Sequence, residues 1–189
     1  MQITPTALPE VLEITPARFG DHRGFFSETW NRAALAEAGI AIDFCQDNHS
    51  LSAARHTLRG LHFQTPPHAQ DKLVRVVAGT VLDVAVDIRA GSPRYRQWVA
   101  VPLSAEAGNQ LLVPKGFAHG FLTLTPDAQV VYKCSDYYRP SADSAIRWDD
   151  PALAIDWGVD TEDLTLSDKD RTAPLLADIP PPFTFEATP

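Results

Sequence analysis

Side chains that could transfer protons are concentrated in residues 59–75, where the motif RGLHFQ is followed by two prolines and the run KLVR. His62 can accept a proton at neutral pH, and Arg59 and Lys72 can bind negatively charged oxygens. The Pro66-Pro67 pair predicts a turn, so the two runs are interpreted as a hairpin of short strands. Their charges fit two interpretations: an edge strand protected from aggregation, or side chains that converge on a site.

Polar residues also interrupt the apolar pattern of strands far from this segment. They are Gln64, Asp83, Asp87, His119 and Tyr132. A small β-barrel fills its interior with apolar side chains or holds one ligand, and titratable residues on several strands favour the ligand. Strict alternation places Arg59 and His62 on opposite faces of a strand. Gly60 is therefore predicted to allow an irregularity that turns both side chains inward.

The residue spacing argues against a metal site or a serine nucleophile. Metal-binding barrels usually carry two histidines one residue apart, whereas His62 is followed by Gln64, and His119 stands alone. No Gly-x-Ser-x-Gly motif is present. The remaining chemistry is proton abstraction next to a carbonyl, with a His base, a Tyr acid and a Lys near the enolate oxygen. A carboxylate must orient the imidazole. The candidates in the sequence are Asp83, Asp168 and Asp170.

Length and charge narrow the class of protein. The 189 residues fit one domain, and 16 basic against 24 acidic residues give a net charge of -8. Because no Lys/Arg run occurs, nucleic acids and anionic membranes are poor candidate partners. No signal peptide or membrane-spanning run is recognisable, so we expect a cytoplasmic protein. Cys45 and Cys134 are too few for a disulfide framework, and both are interpreted as buried.

Short strands with Gly and Pro punctuation dominate the pattern and favour an all-β class. One helix is predicted over 32–38, with Asn31 as its N-cap, a Trp30–Leu35 staple and Gly39 as its stop. The tail at 180–183 is predicted to be extended or disordered. Strands are predicted at 11–14, 42–48, 72–77, 80–89, 97–103, 110–113, 117–124 and 129–135, with a further short strand around 155–157.

Several long motifs in a fixed order resemble those of the dTDP-4-dehydrorhamnose 3,5-epimerase family, and the similarity runs from about residue 11 to residue 176. They are RGLHFQ with the two prolines and KLV, DVAVDIR with Ser92-Pro93, PKGFAHGF at 114–121, VYK at 131–133 and LSDKD at 166–170.

The resemblance implies a cupin-type jelly-roll β-barrel with a few short peripheral helices, a homodimer, and no metal or organic cofactor. The whole chain, 1–189, would be one epimerase domain. Its jelly-roll core would span about 40–140, its N-terminal strands within 1–30 would be exchanged at the dimer interface, and 141–189 would form a C-terminal extension. The implied substrate is dTDP-4-dehydro-6-deoxy-D-xylo-hexose, and the implied product is dTDP-4-dehydro-L-rhamnose.

The resemblance also implies residue roles. By motif position, His62 is similar to the family's base and Asp170 to the carboxylate paired with it. Tyr132 is similar to the acid on the opposite face, and Lys72 to the group that holds the enolate oxygen. Tyr138 resembles the aromatic residue that stacks on thymine. The other implied substrate contacts are Arg23, Glu28, Gln46, Asn48, Arg59, His119, Asp143 and Lys169.

The resemblance implies that Arg23 and Glu28 reach the site of the neighbouring subunit. The sequence departs from the family at Asp143 and Ala145, where Glu and Gly are usual, so Asp143 is the contact least supported by the motif. The same residues would serve an epimerase that acts at C3 or C5 only. Alternatives from other classes are a metal-dependent cupin enzyme and a non-catalytic cupin that binds nucleotide sugars.

Overall fold

The computed structural model describes residues 1–186. The strands are β1 Gln2–Pro5, β2 Leu12–Thr15, β3 Phe19–Asp21, β4 Gly24–Phe26, β5 Gln46–Ser52, β6 Leu58–Gln64, β7 Lys72–Ala78, β8 Thr80–Asp87, β9 Arg89–Ala90, β10 Trp98–Ser104, β11 Gln110–Val113, β12 Phe117–Thr123, β13 Ala128–Cys134, β14 Asp143–Ala145 and β15 Phe183–Thr184. The α-helices are α1 Arg32–Glu37 and α2 Asp168–Arg171, and 3₁₀ turns occupy Thr161–Asp163 and Leu176–Asp178. The predicted all-β class with short helices is confirmed.

Two antiparallel sheets enclose the interior of the barrel. One has the strand order β1-β2-β11-β7-β13-β5, and the other has the order β10-β8-β12-β6-β14. Apolar residues of both sheets meet in one buried cluster, to which β7 contributes Val74 and β8 contributes Ala85. Such contact between strands of different sheets follows from sheet-on-sheet packing. No helix within residues 1–186 combines the length and the apolar character needed to cross a membrane.

Both outer faces of the barrel are also partly covered. Trp157 and Leu176 pack against Val84 and Val86 on the outside of the five-stranded sheet. Helix α1 covers the six-stranded sheet through a second outer cluster that includes Leu35. Strand β8 is therefore buried on both faces, which explains why Asp83 and Asp87 on its inner face are completely enclosed.

The predicted hairpin formed by residues 59–64 and 72–75 is wrong. Strand β6 pairs with β12 and β14, whereas β7 pairs with β11 and β13 in the other sheet. Residues 65–71 therefore cross between the sheets. As a result Lys72 lies across the interior from β6, and its Nζ atom is 3.4 Å from the carbonyl oxygen of His62.

Helix α1 confirms the helix predicted after Asn31. The Asn31 side chain accepts hydrogen bonds from the backbone N–H groups of Ala33 and Ala34, at 3.0 and 3.2 Å. Gly39 has a φ of +86°, a left-handed conformation that favours glycine and ends the helix. Trp30 and Leu35 both belong to the outer cluster under the helix, as the staple spacing predicts.

Two predicted strands are wrong in part or entirely. The strand predicted at 42–48 begins only at Gln46, because Ile42 and Phe44 pack into the outer cluster beneath α1 before the pairing with β13 starts. Cys45 in this segment is exposed, contrary to prediction, while Cys134 is buried. No strand forms around 155–157, where Trp157 is buried against the barrel without strand pairing.

The C-terminal tail packs on the barrel as the extended alternative predicted. Phe183–Thr184 forms β15, which pairs in parallel with β9. Phe183 packs in the cluster on the outside of the five-stranded sheet and lies 6.1 Å from Phe63, measured between ring centroids. The proline-rich approach to this strand cannot form a helix, so its apolar side chains are buried through an extended conformation.

Asp87 is the centre of a buried polar network at the end of β8. Its carboxylate accepts two hydrogen bonds from the Arg89 guanidinium, at 2.9 and 2.7 Å, and one from Ser92 Oγ at 2.6 Å. Burial of the carboxylate opposes ionisation, but the hydrogen bonds from Arg89 and Ser92 outweigh it. The pKa of Asp87 therefore lies below its ordinary value.

We expect the Asp87→Asn substitution to lower the free energy of unfolding by about 3 kcal/mol at neutral pH, because Arg89 loses its completely buried carboxylate partner. Only Glu10, which lies 2.9 Å from the guanidinium and is more exposed than Asp87, then remains as a counter-charge. A carboxyl group whose pKa is depressed by folding stabilises the folded state above its unfolded pKa of about 3.9, and this contribution is lost as the pH falls further. The destabilisation by Asp87→Asn, measured by urea unfolding, should therefore be smaller near pH 3 than at neutral pH.

The exposed pair Asp47–Lys133 gives the control: Asp47→Asn should cost under about 1 kcal/mol. An Asp87→Asn cost independent of pH would contradict this account.

Candidate active site

A cavity of about 500 Å³ opens between the two sheets where the apolar core stops. Seven of the sequence-predicted site residues line it: Arg59, His62, Lys72, His119, Tyr132, Lys169 and Asp170. They come from β6, β7, β12, β13 and α2, so residues separated by more than a hundred positions are brought together. The interpretation of convergent side chains is therefore supported over that of edge-strand charges.

A second cavity, of about 400 Å³, adjoins the first. Four residues line both cavities: His62, Lys72, Tyr132 and Lys169. The second cavity adds four more sequence-predicted residues: Gln46, Asn48, Tyr138 and Asp143. The titratable groups thus stand where the two cavities meet, which suits a ligand whose reactive part lies in one cavity while the rest extends into the other.

His62 is paired with Asp170 in the first cavity. Its Nε2 atom lies 2.5 Å from Asp170 Oδ1, and the Asp170 residue is only 2 % exposed. Helix α2 presents this carboxylate, and the Ser167 side chain caps the helix by accepting from the Asp170 backbone N–H. Of the three carboxylates that the residue types left open, Asp170 is the one that contacts His62.

The Asp170 carboxylate is suited to hold the imidazole in one orientation. Burial raises its pKa, but the hydrogen bond with His62 and the His62 charge act more strongly in the other direction, so the pKa lies below its ordinary value. Asp170 therefore stays ionised at neutral pH. Because Nε2 is engaged with Asp170, Nδ1 is the ring nitrogen left to exchange a proton with a ligand.

The irregularity predicted at Gly60 is present. Gly60 has a φ of +142°, and a Cβ atom placed on it would lie 2.5 Å from the Cα of Gly120 on the neighbouring strand. The pairing of β12 with β6 shifts register between His119 and Phe121, opposite this glycine. Arg59 and His62 consequently both line the first cavity, which strict alternation would not allow.

Tyr132 faces the His62–Asp170 pair from the opposite sheet. It lies on β13, between Asn48 of β5 and Val74 of β7. Burial raises the pKa of its phenol above the ordinary value, so the hydroxyl remains protonated at neutral pH. A base on one sheet and a protonated phenol on the other can act on two faces of a bound molecule.

Lys72 is a buried cation that lines the same cavity as His62 and Tyr132. Only 9 % of the residue is exposed, and its recorded hydrogen bond is the 3.4 Å contact with the His62 carbonyl oxygen. Burial lowers the pKa of the ammonium, while the charge of Asp83 partly opposes that shift. A buried amine with free donor capacity can bind an oxygen that becomes negative during a reaction.

His119 is held by a second buried carboxylate. Its Nε2 atom lies 2.9 Å from Asp83 Oδ1, and Asp83 is completely buried. Asp83 does not contact His62, so its role among the three candidate carboxylates is to fix the His119 ring. The other nitrogen of His119 is then available to the cavity.

The second cavity has a charged wall and an aromatic wall. Asp143 Oδ2 accepts a hydrogen bond from Lys169 Nζ and lies 3.3 Å from the Tyr138 hydroxyl. On β5, at the edge of the other sheet, Gln46 Nε2 donates to Asn48 Oδ1 at 3.1 Å. Asp143, the residue that departs from the family motif, therefore lies among the other predicted contacts.

Arg23 and Glu28 line neither cavity within one chain. Arg23 forms an ion pair with Asp21 and its side chain is 78 % exposed. Glu28 accepts a hydrogen bond from Asn31 at the start of α1. Their predicted reach to a neighbouring subunit remains a prediction.

Several cavity residues were not predicted as site residues. They include Ser50, Thr57, Gln70, Phe121 and the segment 165–167, of which Phe121, Leu166 and Ser167 lie within the motifs that carry the family resemblance. Phe121 could have been found from its position two residues after His119 on the same strand, because alternate residues share a face. Ser50 and Thr57 are ordinary strand and loop residues in the sequence, and only the tertiary arrangement brings them to the cavity.

Comparison with known proteins identifies the family. The model of the family described as dTDP-4-dehydrorhamnose 3,5-epimerase matches residues 5–178. The chain belongs to this family. It is 50 % identical over 177 residues to the dTDP-4-dehydrorhamnose 3,5-epimerase of Salmonella typhimurium, covering 93 % of this chain and 96 % of that one. It is also 50 % identical over 172 residues to the Escherichia coli dTDP-4-dehydrorhamnose 3,5-epimerase, with 90 % and 92 % covered.

Solved structures of this family share the fold. A dTDP-6-deoxy-D-glucose-3,5-epimerase from Legionella pneumophila, solved in complex with dTDP-4-keto-L-rhamnose, superposes with a TM-score of 0.94 at 46 % identity, covering 98 % of this chain and 99 % of that one. ChmJ, a 3'-monoepimerase from Streptomyces bikiniensis solved with dTDP-quinovose, gives a TM-score of 0.84 at 36 % identity, with 92 % and 87 % covered. The predicted cupin-type barrel is confirmed.

Proposed function

We propose that this protein is an isomerase that epimerises dTDP-4-dehydro-6-deoxy-D-xylo-hexose at C3 and C5 to give dTDP-4-dehydro-L-rhamnose, in dTDP-L-rhamnose biosynthesis. The observation that carries the proposal is the pairing of a His62–Asp170 dyad with Tyr132 across one cavity in a member of this family. Abstraction of a proton from one face and its return from the other is the change that epimerisation requires.

In the proposed mechanism, His62 takes a proton from the carbon next to the C4 carbonyl. The electron pair of that C–H bond moves into the C3–C4 or C4–C5 bond, and the carbonyl oxygen becomes an enolate oxygen that Lys72 stabilises. Tyr132 then donates its phenolic proton to the opposite face of the same carbon. The C4 carbonyl acidifies the protons at both C3 and C5, so the same three groups can serve both inversions if the sugar shifts between them. In between, His62 loses its proton to solvent and Tyr132 regains one from solvent.

The nucleotide half of the substrate is assigned to the second cavity. Tyr138 stacks on thymine, and Gln46, Asn48 and Asp143 contact the nucleoside. Tyr138 lies beside the cavity, and 54 % of the residue is exposed, which supports this assignment. Arg59 and Lys169, which line the first cavity, bind the diphosphate and leave the sugar near His62.

The proposed active form is a homodimer in which Arg23 and Glu28 complete the partner's site. The β3–β4 hairpin supports this proposal, because it carries three exposed phenylalanines: Phe19, Phe25 and Phe26, at 66, 63 and 70 % exposure. A cluster of exposed aromatic side chains favours burial against another protein surface.

Epimerisation at a single carbon is the second candidate function. The similarity to ChmJ supports it, since a 3'-monoepimerase shares the fold at a TM-score of 0.84. A metal-dependent cupin reaction is less well supported. Within residues 1–186, no three His, Cys, Asp or Glu side chains are grouped as a metal site requires.

The test is product stereochemistry after exhaustive chelation. Chelated protein is incubated with the substrate and coupled to a ketoreductase that traps the product, whose configuration is then read by NMR. We expect the L-rhamno product at the rate of untreated protein. Inversion at one carbon only would replace the proposal with the mono-epimerase, and activity lost on chelation and restored by a metal would replace it with the metal-dependent reaction.

A further inference from the structure

Gln64 connects two loops that lie next to the second cavity. It is the last residue of β6 and only 4 % exposed. Its Nε2 atom donates to the carbonyl oxygen of His68 at 2.7 Å and to that of Tyr137 at 3.2 Å, and its Oε1 accepts from the backbone N–H of Arg139 at 2.7 Å. One buried amide therefore binds the backbone on both sides of Tyr138.

Two further contacts join the same loops. His68 Nδ1 lies 3.0 Å from Asp136 Oδ2, and Gln70 Nε2 donates to the Asp136 carbonyl oxygen at 2.7 Å. Of these side chains, only that of Gln64 reaches past Tyr138, because its Oε1 atom accepts from the Arg139 N–H.

The ring of Tyr138 has little else to hold it. Its recorded side-chain contact is the 3.3 Å hydrogen bond to Asp143, and the residue is 54 % exposed. Its backbone N–H donates to Gln46 Oε1 at 2.9 Å. The ring position is consequently set by the backbone of residues 137–139, which Gln64 fixes at both ends.

We infer that Gln64 is a positioning residue that holds Tyr138 ready to stack on the nucleobase. The inference rests on the proposed function, in which Tyr138 receives thymine. A ring fixed before binding loses less conformational entropy when the base stacks on it, so the benefit is expected in nucleotide affinity. Only an amide supplies the two donors and one acceptor that this position uses, which explains why neither Glu nor an apolar residue would replace it fully.

The experiment compares Gln64→Met and Gln64→Glu with the unmodified protein. Binding of dTDP is measured by calorimetry, and kcat and KM are measured with the dTDP-sugar substrate. We expect Gln64→Met to weaken dTDP binding and raise KM by roughly tenfold, a part of what base stacking contributes. kcat should change by less than about twofold, because the base and the acid are untouched. Gln64→Glu keeps an acceptor for the Arg139 N–H, but it turns a carboxylate oxygen toward the His68 and Tyr137 carbonyl oxygens, so its increase in KM should be at least as large.

Asn109 provides a matched structural control. It is 7 % exposed, donates to Glu13 and to the Pro102 carbonyl oxygen, and accepts from the Ser104 N–H, but it lines neither cavity. Asn109→Leu should therefore lower thermal stability as Gln64→Met does while leaving dTDP affinity unchanged. An equal loss of affinity in Asn109→Leu would reduce the Gln64 effect to general destabilisation and overturn the inference.

A double-mutant cycle with Tyr138→Ala tests whether Gln64 acts through this ring. In the Tyr138→Ala background, Gln64→Met should weaken dTDP binding no further. An undiminished effect in that background would mean that Gln64 acts on the nucleotide independently of Tyr138, against the inference. Unmodified protein that binds dTDP but does not epimerise the sugar would overturn the proposed function alone, because the cycle depends only on dTDP binding.

Discussion

Replacing His62 by alanine is expected to lower the rate of epimerisation by about 10³-fold or more, because it removes the group proposed to take the proton from the sugar. The affinity for dTDP should stay within about twofold, since the proposed nucleotide contacts are made by other residues: Gln46, Asn48, Tyr138 and Asp143 for the nucleoside, and Arg59 and Lys169 for the diphosphate. Turnover measured with the dTDP-sugar and binding measured with dTDP separate the two effects. A catalytic loss without a binding loss identifies a group that acts on the reacting carbon.

His49 supplies the control for this variant. It is also a histidine on a barrel strand, but it lies on the edge strand β5, where it is hydrogen-bonded to Gln129 and lines neither cavity. His49→Ala should keep full activity. If His62→Ala retained more than about a tenth of the turnover, the assignment of the base would be wrong.

Replacing Tyr132 by phenylalanine is expected to separate proton removal from inversion. The ring still fills its place beside the cavity, but the phenolic proton is lost, so the second face of the carbon has no donor. Formation of the inverted product should fall by about 100-fold or more. Exchange of the substrate proton with solvent should continue, because His62 can still take the proton and return it to the same face.

NMR in D₂O measures both outcomes for Tyr132→Phe, as deuterium in the recovered substrate and as the amount of inverted product. Tyr95→Phe is the matched control, because Tyr95 packs against the outer cluster of the five-stranded sheet and lines neither cavity. It should behave like the unmodified protein. Inverted product formed at an unchanged rate by Tyr132→Phe would show that another group donates the proton.

The barrel could be predicted from the sequence where its pattern is local. Alternation and turn residues gave β8, β11 and β12 within about two residues, and the cap at Asn31 gave α1. The pairing of strands could not be predicted in the same way. The runs at β6 and β7 had the spacing of a hairpin, yet they belong to different sheets, because pairing is decided by long-range packing that neighbouring residues do not encode.

The candidate site was predictable in its residues and not in its contacts. Residue types left Asp83, Asp168 and Asp170 equivalent as partners of an imidazole, and motif resemblance alone favoured Asp170. The structure separates them, with Asp170 on His62 and Asp83 on His119. Each pairing joins residues from different elements, so neither leaves a signature in local sequence.

Gln64 shows a further limit of sequence reasoning. It was recognisable as a polar residue in a strand, but its three partners are backbone atoms of His68, Tyr137 and Arg139. Backbone groups are present at nearly every position, so the sequence gives no indication of which of them a side chain will bind. Such contacts are found only when the loops are seen together.

His62 is proposed as the one base that serves both C3 and C5. The most direct test follows deuterium incorporation at each carbon by NMR, with the dTDP-sugar substrate in D₂O, for the unmodified protein and for His62→Ala. We predict exchange at both C3 and C5 with the unmodified protein and at neither carbon with His62→Ala. Exchange that continues at either carbon in His62→Ala would contradict the account.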